Sequence, residues 1–577
     1  MRSKKFTAVM LAALCSLSFV GCGDPSTDSS DGDVPKNNVP GADKTTIKVV
    51  NFNGGIGTEW LDEAAERFAT ARLTKNYATG KTGVYVDVEP GSGITLDSIG
   101  GDTTNLYFTE RKWDIDTIAQ NGELLDITDV IKDETREGGS LETVIKQNKL
   151  GSITGNDGKY YGLPHYEFFG GLTYDVDVFT ETKAYLAAET ATDKIPYGSK
   201  YGTVNLVASA STVKSNGPDG TPNTLDDGLP ATMQELIILM DYFKNRTEYK
   251  PVALSGLYNN YSNYFLSGLW AALAGYEQMT NYYNCEGQID VVTGYTTENI
   301  FPGIDYIKKP KVEKVTLNGD NGYLGNNMAA KYYAIAMLEI MQKEGFFTNG
   351  ASSSGIDHYG AQKSIIYNPI SSKFEKCAML MEASYWYNEA TLAGSFDSYK
   401  LLAGNDDYRN ISFMPLPSAW DSSDAQAAGK NTIMDIGIGV MVANGNIKNN
   451  PEVLSAVKDF ISFLYSNDEL VNFTKKTGMT RPFNYTLNES DVNALPLFSQ
   501  SVYKLTETSN VVYYSGTTSA YKQAKGYLKI CLELPKALVL DTQYNNYLTA
   551  VKAGSSTETL FAKTQYSQAE WANIYKK

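Results

Sequence analysis

Residues 47–68 read IKVVNFNGGIGTEWLDEAAERF and join a short β-prone run to an amphipathic helical pattern. The β-prone run covers residues 47–52, and Gly54 and Gly55 end it. Thr58 is a suitable helix N-cap, because its hydroxyl can accept a hydrogen bond from an unpaired backbone N–H. Apolar residues then recur at helical spacing, at Leu61, Ala64, Ala65 and Phe68. This stretch predicts a strand followed by a helix.

Two further β-prone runs follow the predicted helix. Residues 84–88 read VYVDV and are ended by Pro90 and Gly91, and residues 105–108 form another run. Strands that alternate with helices in this order are typical of β-α-β units. The sequence therefore predicts an α/β fold with largely parallel sheets.

Helix signals recur later in the chain. Thr232 and Glu235 form a capping box, and Asn450 precedes Pro451 at the first position of another helix. A further predicted helix stops at Gly478. Residues 183–230 are rich in Gly, Ser, Thr, Asn and Asp, which predicts an inserted loop region.

The N-terminus has the pattern of a secretory signal. A basic start is followed by uncharged residues 6–19, a run that is too short to span a bilayer. Residues 18–22, SFVGC, resemble a bacterial lipobox, which implies a signal peptide at 1–21 and a lipid on Cys22. The alternative is an ordinary signal with a chance cysteine. Residues 22–45 have almost nothing to bury and predict a flexible tether.

Composition excludes some classes of protein. The chain has 577 residues, which is too long for one hydrophobic core, and a net charge of −16 without a long basic block. A nucleic-acid partner is therefore not expected. Beyond the signal and Cys22, the cysteines are Cys285, Cys377 and Cys531, which give no disulfide framework.

The familiar catalytic motifs are absent from the sequence. With only two histidines, His165 and His358, the chain cannot hold a multi-histidine zinc site, and it has no GxSxG motif. Residues 55–60 resemble a dinucleotide-binding turn, but Trp60 stands where the third glycine is needed. A pair of carboxylates at glycosidase spacing stays open, since the chain has 66 acidic residues. We predict no catalytic residues and no enzyme activity; the alternative is a surface glycosidase or a polysaccharide-binding lipoprotein.

Several segments resemble, in order, the extracellular solute-binding proteins of family 1, the maltose-binding-like group that serves ABC importers of carbohydrates. These segments are IKVVNFNGGIGTEWLDEAAERF (47–68), LLDITDVI (124–131), KYYGLPHYEFFGGLTYDVDVF (159–179), CAMLMEASYWYNEA (377–390), FMPLPSAW (413–420) and the stretch 432–482. Asp175 replaces the usual asparagine, and the insertion at 183–230 and the tail after about 500 depart from the pattern.

The resemblance implies a two-lobe fold of the periplasmic-binding-protein type, with a cleft between the lobes. It places residues 46–166 and 430–481 in the first lobe, and 167–429 and 482–577 in the second. The chain would cross between the lobes near 164–168, 417–430 and 481–482.

The resemblance also implies a function. The chain would be a monomeric lipoprotein on the extracytoplasmic face of the membrane, and it would pass a small ligand to the permease subunits of an ABC transporter. A sugar or oligosaccharide is the expected ligand, although a peptide or another polyol stays open.

The resemblance also implies which residues contact the ligand. Trp386 falls on the family's ring-stacking tryptophan, and the core is the alternative location for such an aromatic residue. The other expected contacts flank the cleft: Asn53, Gly54, Gly55, Glu110, Trp113, Tyr166, Glu167, Glu382 and Tyr385.

An acidic stretch lies within the insertion. Oxygen ligands at Asp219, Asn223, Asp226 and Asp227 could bind a structural Ca²⁺, although the spacing is not that of an EF-hand. The alternative is a solvated turn in which these side chains cap backbone N–H groups. No other cofactor is expected.

Overall fold

The computed structural model describes residues 36–52, 54–91, 96–109, 115–209, 213–370, 373–406, 409–424, 431–437, 439–513, 516, 518–524 and 546–575. The predicted signal peptide, Cys22 and most of the predicted tether lie outside these residues. No helix among the described residues combines the length and the apolar character needed to cross a membrane.

The elements alternate between strands and helices for most of the chain. The strands are β1 Thr45–Phe52, β2 Val84–Gly91, β3 Leu106–Thr109, β4 Gly162–Pro164, β5 Leu172–Asp175, β6 Tyr185–Leu186, β7 Ile195–Ser199, β8 Gly202–Val207, β9 Lys250–Ala253, β10 Gly287–Phe301, β11 Ile304–Leu317, β12 Cys377–Leu380, β13 Ile411–Met414, β14 Thr432–Asp435, β15 Val440–Ala443 and β16 Asn510–Tyr513.

The α-helices are α1 Glu59–Ala71, α2 Ile115–Gln120, α3 Thr128–Ile131, α4 Leu141–Val144, α5 Val176–Glu181, α6 Met233–Arg246, α7 Tyr261–Asn284, α8 Ala329–Lys343, α9 His358–Ile366, α10 Trp386–Leu392, α11 Ser395–Ala403, α12 Pro451–Leu464, α13 Asn467–Thr477, α14 Glu489–Ala494, α15 Leu497–Thr508, α16 Ser519–Ala524, α17 Tyr547–Lys552, α18 Thr557–Lys563 and α19 Gln568–Ile574. Short 3₁₀ helices cover Leu96–Gly101, Gln147–Ser152, Gly322–Asn327, Asn349–Ser352 and Gly445–Asn449.

The first lobe is built on a sheet with strand order β2-β1-β3-β15-β4. The strands β2, β1 and β3 are parallel, as predicted, whereas β15 runs antiparallel to both of its neighbours. Helix α1 buries Leu61, Ala64, Ala65 and Phe68, which confirms the predicted apolar face. Thr58 occupies the N-cap position, but its side chain makes no capping hydrogen bond.

The second lobe is built on a sheet with strand order β13-β5-β12-β9. The capping box of Thr232 and Glu235 begins α6, as predicted, and the side chain of Asn450 caps α12 in the first lobe. The predicted loop region at 183–230 is instead partly ordered as an antiparallel sheet, β6-β8-β7. Val204 and Leu206 are buried, and β7 and β8 pack on α6, so alternating apolar residues form strands within the polar sequence.

Three crossings join the lobes. The first crossing is residues 165–171, between β4 and β5, and overlaps the 164–168 that the sequence indicates. It lies so close to α7 that a Cβ atom on Gly268 would be 2.2 Å from the carbonyl oxygen of Gly170. This contact fixes the first crossing to the second lobe.

The second crossing differs from the prediction. Ser418 and Ala419 still donate backbone hydrogen bonds to Ala231 of the second lobe. The strand β14 then pairs in parallel with β16, near the C-terminus, and only β15 enters the first sheet. The chain therefore enters the first sheet only after Asp435, a few residues later than the boundary at residue 430 that the sequence indicates. The third crossing, which the sequence places near 481–482, follows the end of α13 at Gly478 and leads to α15, whose Ser501 hydroxyl accepts a hydrogen bond from Phe413 N.

Candidate functional site

The two lobes touch where the loop after β1 meets the start of α10. A Cβ atom on Gly55 would lie 2.3 Å from Cδ2 of Tyr385, so glycine is what allows the aromatic ring to come this close. The Asn388 side chain donates a hydrogen bond to the carbonyl oxygen of Gly55 at 2.6 Å, and Gly57 faces Leu392. Gly54 lies in the same turn, where its carbonyl oxygen accepts a hydrogen bond from Gly57. This contact lies between the lobes, where the sequence places the ligand cleft.

An aromatic wall, formed by Phe168, Tyr261, Tyr264 and Tyr385, lines the second-lobe side of this contact. The ring of Phe168, on the first crossing, lies 4.8 Å from the ring of Tyr385 and 5.2 Å from that of Tyr264. Tyr264 and Tyr261, both on α7, have ring centroids 5.8 Å apart. Aromatic faces suit the apolar C–H surface of a sugar ring.

A polar cluster, formed by Glu382, Glu389, Gln362 and His358, lies beside the aromatic wall. Glu389 accepts a hydrogen bond from Gln362 Nε2 at 3.1 Å, and its other carboxylate oxygen is 3.6 Å from His358 Nε2. Both oxygens of Glu382 are buried and have no hydrogen-bond partner among the described residues. Burial, with the nearby charge of Glu389, raises the pKa of the Glu382 carboxyl well above its ordinary value. These groups can accept hydrogen bonds from a polar ligand.

Trp386 does not line the cleft, contrary to the sequence-based expectation. Its side chain is fully buried, and its indole N–H donates a hydrogen bond to Thr173 Oγ1 at 2.9 Å. Its ring packs 5.6 Å from Phe498 and 5.7 Å from Tyr387, inside the second lobe. The aromatic residue that faces the other lobe is its neighbour, Tyr385, because α10 begins between the two and turns the indole inward.

Glu167 also has a different role from the expected ligand contact. It is buried, with Lys146 Nζ at 3.0 Å from Oε1, and Tyr513 donates its hydroxyl hydrogen to the same oxygen. Burial opposes ionisation of Glu167, but Lys146 and the hydrogen bonds from Thr480 and Tyr513 outweigh it and lower its pKa. Its backbone N–H donates to the carbonyl oxygen of Thr480 at 2.8 Å. Glu167 therefore joins the first and third crossings.

A second buried ion pair, which the sequence did not indicate, lies where the first and second crossings meet. Lys149 Nζ lies 2.7 Å from Asp435 Oδ2, while Oδ1 accepts hydrogen bonds from the backbone of Phe168 and Gly437 at 2.9 and 2.8 Å. Tyr166 packs close by, since a Cβ atom on Gly439 would lie 2.6 Å from its ring. We refer to Glu167, Asp435, Lys146, Lys149 and Tyr513 as the hinge network. Tyr166 and Glu167 thus lie at the hinge rather than at the Tyr385 contact.

The remaining expected ligand contacts lie outside the described residues: Asn53, Glu110 and Trp113. Sequence reasoning missed Glu389, Gln362, His358 and Tyr261. Glu389 could have been found, because it lies in the same quoted segment, four residues after Tyr385.

The acidic stretch of the insertion forms hydrogen-bonded turns. Asp226 Oδ2 accepts from the backbone N–H of Asp219 at 2.9 Å, and Asp227 Oδ2 accepts from that of Asn223 at 2.9 Å. Asp219 in turn caps the N–H of Thr221. No group of three or more His, Cys, Asp or Glu side chains within the described part of the chain is arranged to hold a metal ion. This geometry favours the capped turn over the calcium site.

The fold is similar to that of solved binding proteins. The protein RafE, in complex with raffinose, superposes with a TM-score of 0.51 at 12% identity over 92% of this chain and 100% of that chain. A cyclic α-maltosyl-1,6-maltose binding protein from Arthrobacter globiformis gives 0.51 at 13% identity, over 92% and 100% of the two chains. A mannobiose-bound ABC transporter binding protein from Bifidobacterium animalis gives 0.50 at 12% identity, over 92% and 95%.

Neither a model of a known protein family nor any curated protein matches the sequence. At these low identities the structural likeness speaks for the fold alone. It confirms the predicted fold class, a two-lobe α/β fold of the periplasmic-binding-protein type.

Proposed function

We propose that this chain is a lipid-anchored extracellular solute-binding protein that captures a sugar or oligosaccharide and delivers it to an ABC importer. The observation that carries the proposal is the interlobe contact of Gly55 with Tyr385, flanked by an aromatic wall and by buried polar groups. Carbohydrate recognition requires aromatic rings that pack on the C–H faces of a sugar and hydrogen-bond acceptors for its hydroxyl groups. The similar solved structures, which include raffinose- and mannobiose-bound proteins, support this choice of ligand class.

The proposed mechanism is closure of the lobes around the ligand. Three chain crossings and the hinge network connect the lobes, so rotation at the hinge would separate Gly55 from Tyr385 and open the aromatic wall and the polar cluster. A ligand that contacts both lobes binds the closed form better and shifts the population towards it. The proposal includes no chemical step, and release of reducing sugar from an oligosaccharide would instead indicate a glycosidase.

The first test is binding. A thermal-shift screen of mono- and oligosaccharides should identify a ligand, since a free concentration of 100 times Kd adds about 2.7 kcal/mol to the free energy of unfolding. X-ray scattering should then show a smaller radius of gyration with the ligand. A screen in which no sugar raises the melting temperature would contradict the proposal.

Tyr385→Ala should weaken binding of the best sugar from this screen by about 30-fold or more. The ring is the aromatic anchor at the centre of the interlobe contact, and removal of such an anchor typically costs about 2 kcal/mol. Titration calorimetry on both proteins measures the change. Tyr295→Ala is the matched control, because Tyr295 is a partly exposed tyrosine on the β10–β11 hairpin. Equal affinities of the folded Tyr385→Ala variant and the wild type would remove Tyr385 from the site.

Cys22→Ser should release the protein from the membrane. The reason is the lipobox-like SFVGC at 18–22, in which the cysteine thiol is the lipid acceptor. Cell fractionation, with labelling by a fatty-acid analogue, measures both anchoring and lipidation. Cys285→Ser provides the control, since that buried thiol lies in the globular part of the chain. Retention of the Cys22→Ser variant in the membrane fraction would show that the anchor lies elsewhere.

A further inference from the structure

Glu382 differs from the other buried carboxylates of the chain. Among the described residues, five buried carboxylates are paired with a lysine or arginine, and Asp219 and Asp226 accept hydrogen bonds instead. The five pairs are Glu167 with Lys146, Asp175 with Arg409, Glu339 with Lys343, Asp435 with Lys149 and Glu469 with Arg67. Glu382 has no lysine or arginine partner within the described part of the chain; neither of its oxygens accepts a hydrogen bond of ordinary geometry there, although the amide of Gln362 is close enough to oppose the rise of its pKa.

A second carboxylate, that of Glu389, lies close to Glu382 without a lysine or arginine partner among the described residues. Its nearest basic group is the imidazole of His358, at 3.6 Å. Glu389 belongs to the interlobe contact, because its Cβ atom would lie 3.2 Å from a Cβ atom on Gly55. The second acidic side chain is therefore at the part of the second lobe that faces the first, near enough to Glu382 for the two to repel each other electrostatically.

The surroundings of this pair are aromatic rather than basic. Glu382 interacts electrostatically with Tyr261, whose ring belongs to the same wall as Tyr264 and Tyr385. Aromatic faces attract cations, and carboxylates form strong charge-assisted hydrogen bonds to ammonium groups. A neutral sugar would give these carboxylates hydrogen bonds but no counter-charge beyond the imidazole of His358, which leaves ionisation of the buried Glu382 unfavourable. A positively charged ligand supplies both.

We propose that the ligand is an amino sugar, or an oligomer of amino sugars, whose protonated amine is held by Glu382 and Glu389 against the aromatic wall. This inference rests on the proposed function, because it takes the interlobe contact as the ligand site. The net charge of −16 also favours the approach of a cation over that of an anion.

The experiment compares ligands that differ only in charge. Calorimetry on the mature protein would use glucosamine oligomers of two to four units and their N-acetylated counterparts of the same length, with maltotriose and raffinose as neutral sugars. We expect the amine forms to bind at least about tenfold more tightly than the N-acetylated forms, as the loss of a charged hydrogen bond implies. Glu382→Gln and Glu389→Gln should each remove most of that selectivity.

Two controls separate the inference from the fold and from the proposed function. Glu382→Gln should not lower the melting temperature, because it replaces an unpaired buried acid by a neutral isostere. Glu375→Gln, at a partly exposed carboxylate that accepts hydrogen bonds from Asn349, should leave the selectivity unchanged. The amine inference would be overturned if the wild type bound the neutral sugars as tightly as the amine forms, or more tightly, and if Glu382→Gln did not change that binding. The proposed function would still stand. Failure of every sugar to bind would overturn both.

Discussion

Trp386→Ala is expected to lower the free energy of unfolding by about 3–5 kcal/mol. The indole is fully buried against Phe498 and Tyr387, so its removal leaves a cavity among rings that cannot close completely. The hydroxyl of Thr173 also loses its indole donor. Urea denaturation, followed by circular dichroism, measures the change.

Two variants make this result specific. Trp386→Phe keeps a ring in the core and should cost clearly less than the alanine variant. Tyr385→Ala should change binding far more than stability, because the ring of Tyr385 lies at the interlobe contact rather than inside the second lobe. If the Trp386→Ala variant kept its stability but no longer bound sugar, Trp386 would be a ligand contact after all.

Lys149→Met is expected to lower the free energy of unfolding by about 3–5 kcal/mol. The substitution removes the only ammonium group that the described residues place on the buried carboxylate of Asp435, and an uncompensated buried charge is strongly destabilising. The double variant Lys149→Met/Asp435→Asn should recover most of the loss, because it removes both charges. Urea denaturation of the two variants and the wild type gives the comparison.

An exposed ion pair is the control for the buried pair of Lys149 and Asp435. Lys314, on the β10–β11 hairpin, is largely exposed and lies 3.0 Å from Asp290. Such pairs contribute about 0–1 kcal/mol, so Lys314→Met should have little effect. If Lys149→Met and Lys314→Met lowered the free energy of unfolding equally, the buried pair of Lys149 and Asp435 would contribute no more than a surface ion pair.

Local rules predicted much of the fold. The apolar spacing after Thr58, the capping box at Thr232 and Glu235, and the glycine that ends α13 all depend on residues within one or two turns of each other. Such signals can be read along a single sequence. The antiparallel sheet within 183–230 was not predicted, because its buried residues Val204 and Leu206 are surrounded by polar residues of the kind that is typical of loops.

The site was harder to predict than the fold. Tyr385 and Trp386 are adjacent aromatic residues, and only the direction in which α10 starts decides which ring faces the other lobe. Glu167 looked like a cleft residue, but its partner Tyr513 is 346 residues away in the sequence. Asp435 and Lys149 are 286 residues apart, so no local pattern indicates their pairing. Tertiary contacts determined each of these roles.

The central position of β15 in the first sheet has a consequence for how the chain folds. Strand β15 lies between β3 and β4, and Asn444, directly after it, donates hydrogen bonds to the carbonyl oxygens of Ile99 and Thr104, 345 and 340 residues earlier. The second sheet, whose last strand β13 ends at Met414, is complete in sequence before β15 begins at Val440, so a growing chain can assemble it before the first sheet is completed. Contacts at such sequence distances form slowly. Until β15 pairs with β3 and β4, each of these two strands has an unpaired edge. We therefore expect the chain to be most prone to aggregation while the first lobe is only partly assembled.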